Sequence, residues 1–275
     1  MVNPATLAEA PQTGRKVENQ NDGEHFKTLA GTTAHLSPSH LTEKANPPAS
    51  RFLSIKLTTM NRRIFLAALI LATSSFAFAD GLPKIKVACV GNSITEGAGV
   101  RDPNKKYPTQ LGVMLGANYD VKNFGVSGST MLDNGDLPYK KQAAFNNALA
   151  FAPDIVVIKL GTNDSKPQNW SKKGGFSESA KSLVDAFRKA NFKAKIYLCY
   201  PVPVIAQGNW GINNETVKGE IIPLIKQVAM EKGTAIIDTY AALDGKPQLF
   251  PDRVHPNDEG AGLIAKTVFE AIKKK

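Results

Sequence analysis

The stretch KIKVACVGNSITEG, residues 84–97, joins a mostly apolar run directly to a small turn flanked by glycines. Residues 84–90 have the length and the apolar content of a strand that is buried in a sheet. Glycine and asparagine supply the backbone conformations that the following turn needs. The turn also presents the hydroxyl group of Ser93, and residues elsewhere in the chain decide whether this serine has a chemical role.

Two segments at the start of the 275-residue chain differ in composition from everything that follows. Residues 1–59 contain Pro, Thr, Asn, Gln and Ser without sustained periodicity, which predicts a disordered leader. Residues 60–79, MNRRIFLAALILATSSFAFA, combine two arginines, a short apolar core and a small-residue cleavage site, as a signal peptide does. The apolar run is shorter than the roughly 20 residues of a membrane span, so we expect no stable span.

These segments predict a secreted or periplasmic protein whose mature chain begins at Asp80. Met60 is then the expected start of translation, and residues 1–59 are an extension of the gene model. The pair of arginines in the signal leaves both the general secretory route and the twin-arginine route open. The predicted mature domain covers residues 80–275.

Composition and charge exclude several classes of function. The chain is 42% hydrophobic and 21% charged, as is usual for globular proteins. Its formal net charge of +10 is spread over scattered lysine pairs without interleaved aromatic residues, so we expect no nucleic-acid partner. Histidines and cysteines do not occur at metal-ligand spacing, and Cys89 and Cys199 lie in separate apolar runs. We therefore expect no metal, no other cofactor and no disulfide bond.

Strand-like and helix-like segments alternate along the mature chain. The predicted strands are continuously apolar and cover residues 84–90, 119–124, 154–160, 194–200 and 234–238. The predicted helices cover residues 107–115, 139–150, 177–191, 215–232 and 258–274. Continuously apolar strands are typical of a parallel sheet that is covered on both faces. The alternation predicts an α/β fold, a three-layer α/β/α sandwich with a five-stranded parallel sheet.

Polar, glycine-containing clusters follow the first three predicted strands, at residues 91–93, 125–128 and 161–164. Parallel sheets collect ligand groups at the carboxyl ends of their strands, so these clusters should meet at one edge. A nucleophilic serine there would need a base, and His255 is the one histidine of the mature chain. Asp252 precedes it by three residues, close enough to orient the imidazole and to stabilise its protonated form.

The chain resembles the SGNH, or GDSL, hydrolases in four blocks that occur in the same order. The blocks are GNSIT at 91–95, NFGVSG at 123–128, GTND at 161–164 and DRVHP at 252–256. The resemblance implies a flavodoxin-like fold and a catalytic triad of Ser93, Asp252 and His255. It also implies an oxyanion hole formed by the backbone amides of Ser93 and Gly128 and by the side-chain amide of Asn163. Asn92 departs from the family pattern, which usually has aspartate before the serine.

The same resemblance implies a serine esterase that works through an acyl-enzyme. Trp170 and Trp210 lie on loops after the third and fourth predicted strands, where their rings could bind sugar or could merely pack the loops. We therefore favour a monomeric acetyl esterase or short-acyl esterase that acts on O-acetylated carbohydrate or another small ester. The alternatives are a lysophospholipase or thioesterase, an acyltransferase, and a carbohydrate-binding protein that retains the fold without turnover. The glycine spacing does not match a dinucleotide-binding loop.

Overall fold

The structure, a computed structural model, describes residues 83–274. The predicted leader at 1–59 and the predicted signal peptide at 60–79 lie outside the described residues. Along the part of the chain that is described, no helix is both long enough and apolar enough to cross a membrane.

The described residues form one five-stranded sheet in which every neighbouring pair of strands is parallel. Its strands are β1 (Ile85–Gly91), β2 (Tyr119–Gly125), β3 (Ile155–Lys159), β4 (Lys195–Cys199) and β5 (Ala235–Ile237). Their spatial order is β2-β1-β3-β4-β5, the order of flavodoxin-like folds. The predicted α/β fold and its five-stranded parallel sheet are confirmed.

The α-helices of the described residues are α1 (Ser93–Glu96), α2 (Tyr107–Leu115), α3 (Ala143–Ala150), α4 (Pro167–Trp170), α5 (Phe176–Ala190), α6 (Asn214–Thr216), α7 (Ile222–Lys232), α8 (Thr239–Leu243) and α9 (Asp258–Lys273). The five predicted helices begin or end close to α2, α3, α5, α7 and α9, whereas α1, α4 and α8 were not predicted. Single 3₁₀ turns lie at Pro103–Lys105, Tyr139–Lys141, Asn163–Ser165, Lys173–Gly175, Asn209–Gly211 and Pro247–Leu249. A π-helical turn, Val217–Ile221, joins α6 to α7, so the predicted helix at 215–232 combines α-helical and π-helical segments.

Two apolar layers cover the sheet. One contains α3, α5 and α7 and is built around Phe176, Phe187 and Ile225. The other contains α2 and α9 and is built around Leu111 and Ile264. Cys89 and Cys199 belong to the second layer as buried free thiols.

Strand β2 differs from the continuously apolar strand that the sequence predicts. It lies at the edge of the sheet, pairs only with β1, and none of its residues is fully buried. Lys122 and Asn123 are exposed there, because an edge strand has a neighbour on one side only. The central strand β3 is buried along its whole length, as predicted.

The strand register brings the three polar clusters to one edge of the sheet. Gly91, the last residue of β1, pairs with Gly125 of β2 and with Lys159 of β3. The loops that follow these three residues therefore leave the sheet side by side. This arrangement confirms the expectation that residues 91–93, 125–128 and 161–164 meet.

Lys159 is a buried cation that the sequence analysis did not single out. Its side chain is 1% exposed and its Nζ has no hydrogen-bond partner among the described residues. Burial lowers the pKa of Lys159 to about 8, because an unpaired ammonium loses its hydration in the core.

We expect Lys159→Met to stabilise the protein at pH 7, since methionine has a similar length and no charge. The pKa of Lys159 is lower in the folded state, so wild-type stability rises as pH increases from about 8 to about 10.5. The advantage of the variant, at most about 3 kcal/mol at pH 7, should therefore shrink toward pH 10. Urea unfolding at several pH values measures this difference in the free energy of unfolding. Lys122→Met, at an exposed lysine, is the control. A pH-independent difference would contradict the explanation.

Candidate active site

Ser93 is the first residue of α1, directly after the strand that the opening stretch forms. The side-chain oxygen of Asn92 caps this helix by accepting a hydrogen bond from the Ile94 amide at 3.1 Å. The helix packs closely on β2, because a Cβ at Gly125 would lie 2.2 Å from the backbone nitrogen of Glu96. Glycine at 125 therefore allows the serine-bearing helix to approach the sheet edge.

His255 joins Ser93 across 162 residues of sequence. Its Nε2 lies 2.8 Å from the Ser93 Oγ, and its Nδ1 lies 2.6 Å from Oδ2 of Asp252. The imidazole is largely shielded, with its side chain 11% exposed. The three residues that the sequence analysis selected as nucleophile, base and orienting carboxylate are thus in hydrogen-bond contact.

The loop that carries His255 is held by Asp252 itself. Its Oδ1 accepts hydrogen bonds from the backbone amides of Val254 at 3.0 Å and His255 at 2.7 Å. Burial alone raises the pKa of Asp252, but the hydrogen bonds from the His255 amide, the His255 ring and the Val254 amide lower the pKa below its usual value. Asp252 therefore stays ionised beside the imidazole at neutral pH.

The second block forms a four-residue turn beside Ser93. The Ser129 amide donates to the Val126 carbonyl at 3.2 Å, and Gly128 has a φ of +82°. A positive φ at the third position is the signature of a type II turn, which favours glycine there. The Gly128 amide belongs to the central peptide of this turn and lines the same cavity as Ser93.

Asn163 also lines that cavity. Its Nδ2 donates to the Ser129 carbonyl at 3.1 Å, and an amide nitrogen has a second hydrogen to offer. Its own carbonyl accepts from Asn169 Nδ2 at 2.9 Å, in a fully buried contact. Neighbouring bonds therefore fix both the side chain and the backbone of Asn163.

Asp164 secures the segment that follows the turn. It is fully buried, and its two carboxylate oxygens accept the amides of Met131 at 2.9 Å and Leu132 at 2.8 Å. Burial raises the pKa of Asp164 to about 6, although these hydrogen bonds oppose the change. Within the third block, Asn163 thus lines the cavity, and Asp164 holds the segment beside it.

The cavity around Ser93 encloses about 200 Å³. Its wall consists of Ser93, Ala98, Ser127, Gly128, Asn163, Lys166, Trp210, Ile212 and His255. All the residues predicted for the triad and the oxyanion hole line the cavity except Asp252, which lies behind His255 and is hydrogen-bonded to it. Across residues 83–274, no group of three histidine, cysteine or acidic residues is arranged to hold a metal ion.

The two tryptophans proposed for substrate binding occupy different environments. Trp210 is 60% exposed, lines the cavity, and its ring centroid lies 5.4 Å from that of His255. Trp170 is 8% exposed and packs edge-on against Phe176 in the apolar layer, with centroids 5.6 Å apart. Trp170 does not line this cavity, because helix α4 turns its indole against Phe176, and a substrate-binding role for Trp170 remains a prediction.

Several residues of the cavity wall were missed by sequence reasoning. Lys166 follows the GTND block, and its Nζ lies 3.6 Å from Asp136. Ser127 also lines the cavity and stands within the second block. Both could have been noticed from their place beside quoted motifs. Ile212 has no such signal, because its loop carries no motif.

The fold and the site together define a class of protein. A serine at the carboxyl edge of a parallel sheet, bonded to a histidine that is bonded in turn to an aspartate, is the side-chain arrangement of serine hydrolases. The model of the GDSL-like Lipase/Acylhydrolase family matches residues 89–263, and the chain belongs to this family. The resemblance noted in the sequence is thereby confirmed.

One curated relative is an acetylxylan esterase of Xylanibacter ruminicola, which is 44% identical over 209 residues. The match covers 69% of this chain and 43% of the relative, so the chain spans less than half of that protein's length.

Two solved structures show the same fold. A carbohydrate acetylesterase from Sinorhizobium meliloti gives a TM-score of 0.55 at 21% identity, over 69% of this chain and 98% of that one. The inhibitor-bound aryl esterase of M. smegmatis gives 0.56 at 18% identity, over 68% of this chain and 98% of that one. At these identities the likeness concerns the fold alone.

The left-handed backbone at Gly128 gives a direct test of the turn. Gly128→Ala forces alanine to a φ of +82° and places its Cβ 3.2 Å from Leu137 Cδ2. Gly233 is the control, with φ and ψ of +57° and +43° in the left-handed region and no atom within 4 Å of an added Cβ. We expect Gly233→Ala to cost about 1 kcal/mol and Gly128→Ala to cost more, as measured by urea unfolding. Equal losses would contradict the described packing against Leu137.

Proposed function

We propose that the protein is a serine esterase that removes acetyl groups from carbohydrate through an acyl-enzyme. The observation that carries this proposal is the pair of hydrogen bonds that links Ser93 to His255 and His255 to Asp252 at the wall of a small cavity. Such an arrangement activates a serine hydroxyl at neutral pH.

In the proposed reaction the Ser93 Oγ attacks the ester carbonyl while His255 Nε2 accepts its proton. The tetrahedral intermediate collapses when the carbon–oxygen bond to the alcohol breaks, and His255 returns the proton to the departing oxygen. Water then attacks the acyl-enzyme by the same route, which releases the acid and restores the hydroxyl group. Asp252 stabilises the imidazolium in both steps.

The developing negative charge on the carbonyl oxygen requires donors that are already in place. We assign this role to the backbone amides of Ser93 and Gly128 and to the Asn163 side chain. The fixed contacts of Asn163 and the turn at Gly128 support this assignment, because such donors need no reorganisation during the reaction. Loss of one donor typically costs 10²- to 10³-fold in kcat.

The size of the cavity supports a short acyl group. About 200 Å³ must hold the acyl group and part of the alcohol, and Ile212 and Ala98 supply its apolar wall. A long hydrocarbon chain needs more apolar surface than these two side chains offer. This argues for acetyl over the acyl groups of a lysophospholipase.

The alcohol side supports carbohydrate. Trp210 presents an exposed ring next to His255, at the rim where the departing alcohol would lie. A flat aromatic face beside polar groups suits a sugar ring. The acetylxylan esterase of Xylanibacter ruminicola, 44% identical over the matched region, supports the same substrate class.

We also propose that the protein is exported and acts as a monomer, either secreted from the cell or in the periplasm. The signal-like pattern of residues 60–79 supports export. Extracellular and periplasmic enzymes meet acetylated polysaccharides directly, which is consistent with the proposed substrate.

The nucleophile is tested by covalent labelling. Incubation of the full chain with a fluorophosphonate should add one adduct, located at Ser93 by peptide mass spectrometry, because the hydroxyl is activated by His255. Ser93→Ala should abolish labelling and ester hydrolysis while its melting temperature stays within a few degrees of wild type. Ser127→Ala is the matched control, since Ser127 lines the same cavity without contacting His255. It should still be labelled at Ser93, and an adduct found elsewhere would refute the assignment.

The substrate class is tested by acyl length and by acetate release. We expect p-nitrophenyl acetate to be hydrolysed at least about tenfold more efficiently than the octanoate, because the cavity is small. Acetylated xylo-oligosaccharides should release acetate. A preference for octanoate would instead support a lipase-like or thioesterase function.

Trp210→Ala separates sugar binding from ester cleavage in that experiment. Its KM for acetylated xylo-oligosaccharides should rise about tenfold, while kcat/KM for p-nitrophenyl acetate changes little. Phe192→Ala provides a control with an exposed aromatic residue that does not line the cavity. Equal loss on both substrates in Trp210→Ala would refute the sugar platform.

A further inference from the structure

We infer that Glu96 is a positioning residue, which sets the Gly128 amide relative to the Ser93 hydroxyl. This inference rests on the proposed function, because it assigns a partner to the oxyanion hole. Glu96 closes the same short helix that Ser93 opens. Its carboxylate therefore moves with the nucleophile.

Glu96 reaches from this helix to the turn that contains Gly128. Its Oε2 accepts a hydrogen bond from the Ser127 amide at 2.8 Å. The same oxygen accepts a second hydrogen bond from the Ser127 hydroxyl group. One residue of the turn is thus held twice, through backbone and side chain, by one carboxylate oxygen.

The place of Ser127 in the turn makes this contact consequential. Ser127 and Gly128 are the two central residues of the turn from Val126 to Ser129. Their shared peptide carries the Gly128 amide, and its orientation distinguishes type I from type II turns. The Ser127 amide belongs to the preceding peptide, so Glu96 holds that peptide and the Ser127 side chain. With both of these held, Ser127 has fewer ways to rotate the peptide that follows, and Glu96 thereby helps to set the direction of the Gly128 N–H.

Two other hydrogen bonds near the turn do not reach its central residues. The Val126 amide donates to Gly91 O at 3.0 Å, which holds the start of the turn. Asn123 Nδ2 donates to Thr95 O at 2.8 Å, which holds the helix to β2. Both contacts lie outside the central pair of turn residues. Glu96 is the residue of α1 whose side chain reaches the centre of the turn.

Glu96→Ala and Glu96→Gln distinguish positioning from general stability. Alanine removes both hydrogen bonds, whereas the single amide oxygen of glutamine can accept both, as Oε2 does. Glu178→Ala is the control, because Glu178 is an acid on α5 that pairs with Lys181 outside the cavity. The full-length proteins are compared by kcat and KM for p-nitrophenyl acetate, by melting temperature and by amide hydrogen exchange over residues 126–130.

For Glu96→Ala we expect kcat to fall about 10- to 100-fold with KM within about threefold of wild type, since a misaligned donor affects the transition state most. Glu96→Gln should recover kcat to within about threefold of wild type. Exchange over 126–130 should accelerate in the alanine variant and stay near wild type in the glutamine variant. Glu178→Ala should match wild type in all of these measurements.

Retention of at least half of wild-type kcat by Glu96→Ala would overturn the inference, even if exchange accelerates. Unchanged exchange in Glu96→Ala would also overturn it, because the turn would then not depend on the carboxylate. An equal loss in both variants would contradict the hydrogen-bond explanation. A wild-type protein that hydrolyses no ester overturns the proposed function instead, and the exchange measurement then judges the contact independently.

Discussion

The parallel pairing of β1 with both β2 and β3 is the constraint on which the site depends. Because these strands run in the same direction, with Gly91 in register with Gly125 and Lys159, their following loops all leave one edge. Residues far apart in sequence then need only short loops to meet. The loop that follows an antiparallel neighbour would leave the sheet at the opposite edge. Ser93 would then have no loop from that strand beside it.

Loops at a sheet edge lack ladder partners, so other groups must hold their backbone amides. In this protein carboxylates hold loops beside the cavity in this way. Glu96 accepts from the turn containing Gly128, Asp164 from the segment after that turn, and Asp252 from its own loop beside His255. A carboxylate has two oxygens and accepts several hydrogen bonds at once, so one side chain can supply the acceptors that a neighbouring strand would otherwise provide. Hydrogen bonds from backbone amides to carboxylates therefore support all three of these segments beside the cavity.

Sequence reasoning succeeded where one local signal was strong. Helix 107–115 matches α2 residue for residue, and the contacts of Ser93 with His255 follow from motifs at strand ends. It left the role of Trp170 open between sugar binding and loop packing, because a loop position does not reveal whether a short helix turns a side chain inward. Ile212 and the support by Glu96 depend on contacts between distant segments, which neither periodicity nor spacing encodes. The catalytic roles of the site residues remain predictions.

The loop that carries Trp210 shows how a strained segment can be kept in place. Trp210 has a φ of +60°, a conformation that costs an aromatic residue of order 1–3 kcal/mol. The preceding Asn209 donates from its side chain to the Asp252 carbonyl at 2.8 Å, which ties this loop to the one that carries the imidazole. In this strained conformation the indole lies beside His255, with ring centroids 5.4 Å apart. The bond between the two loops supports this separation of the aromatic face and the histidine, as the proposed placement of a sugar next to a proton donor requires.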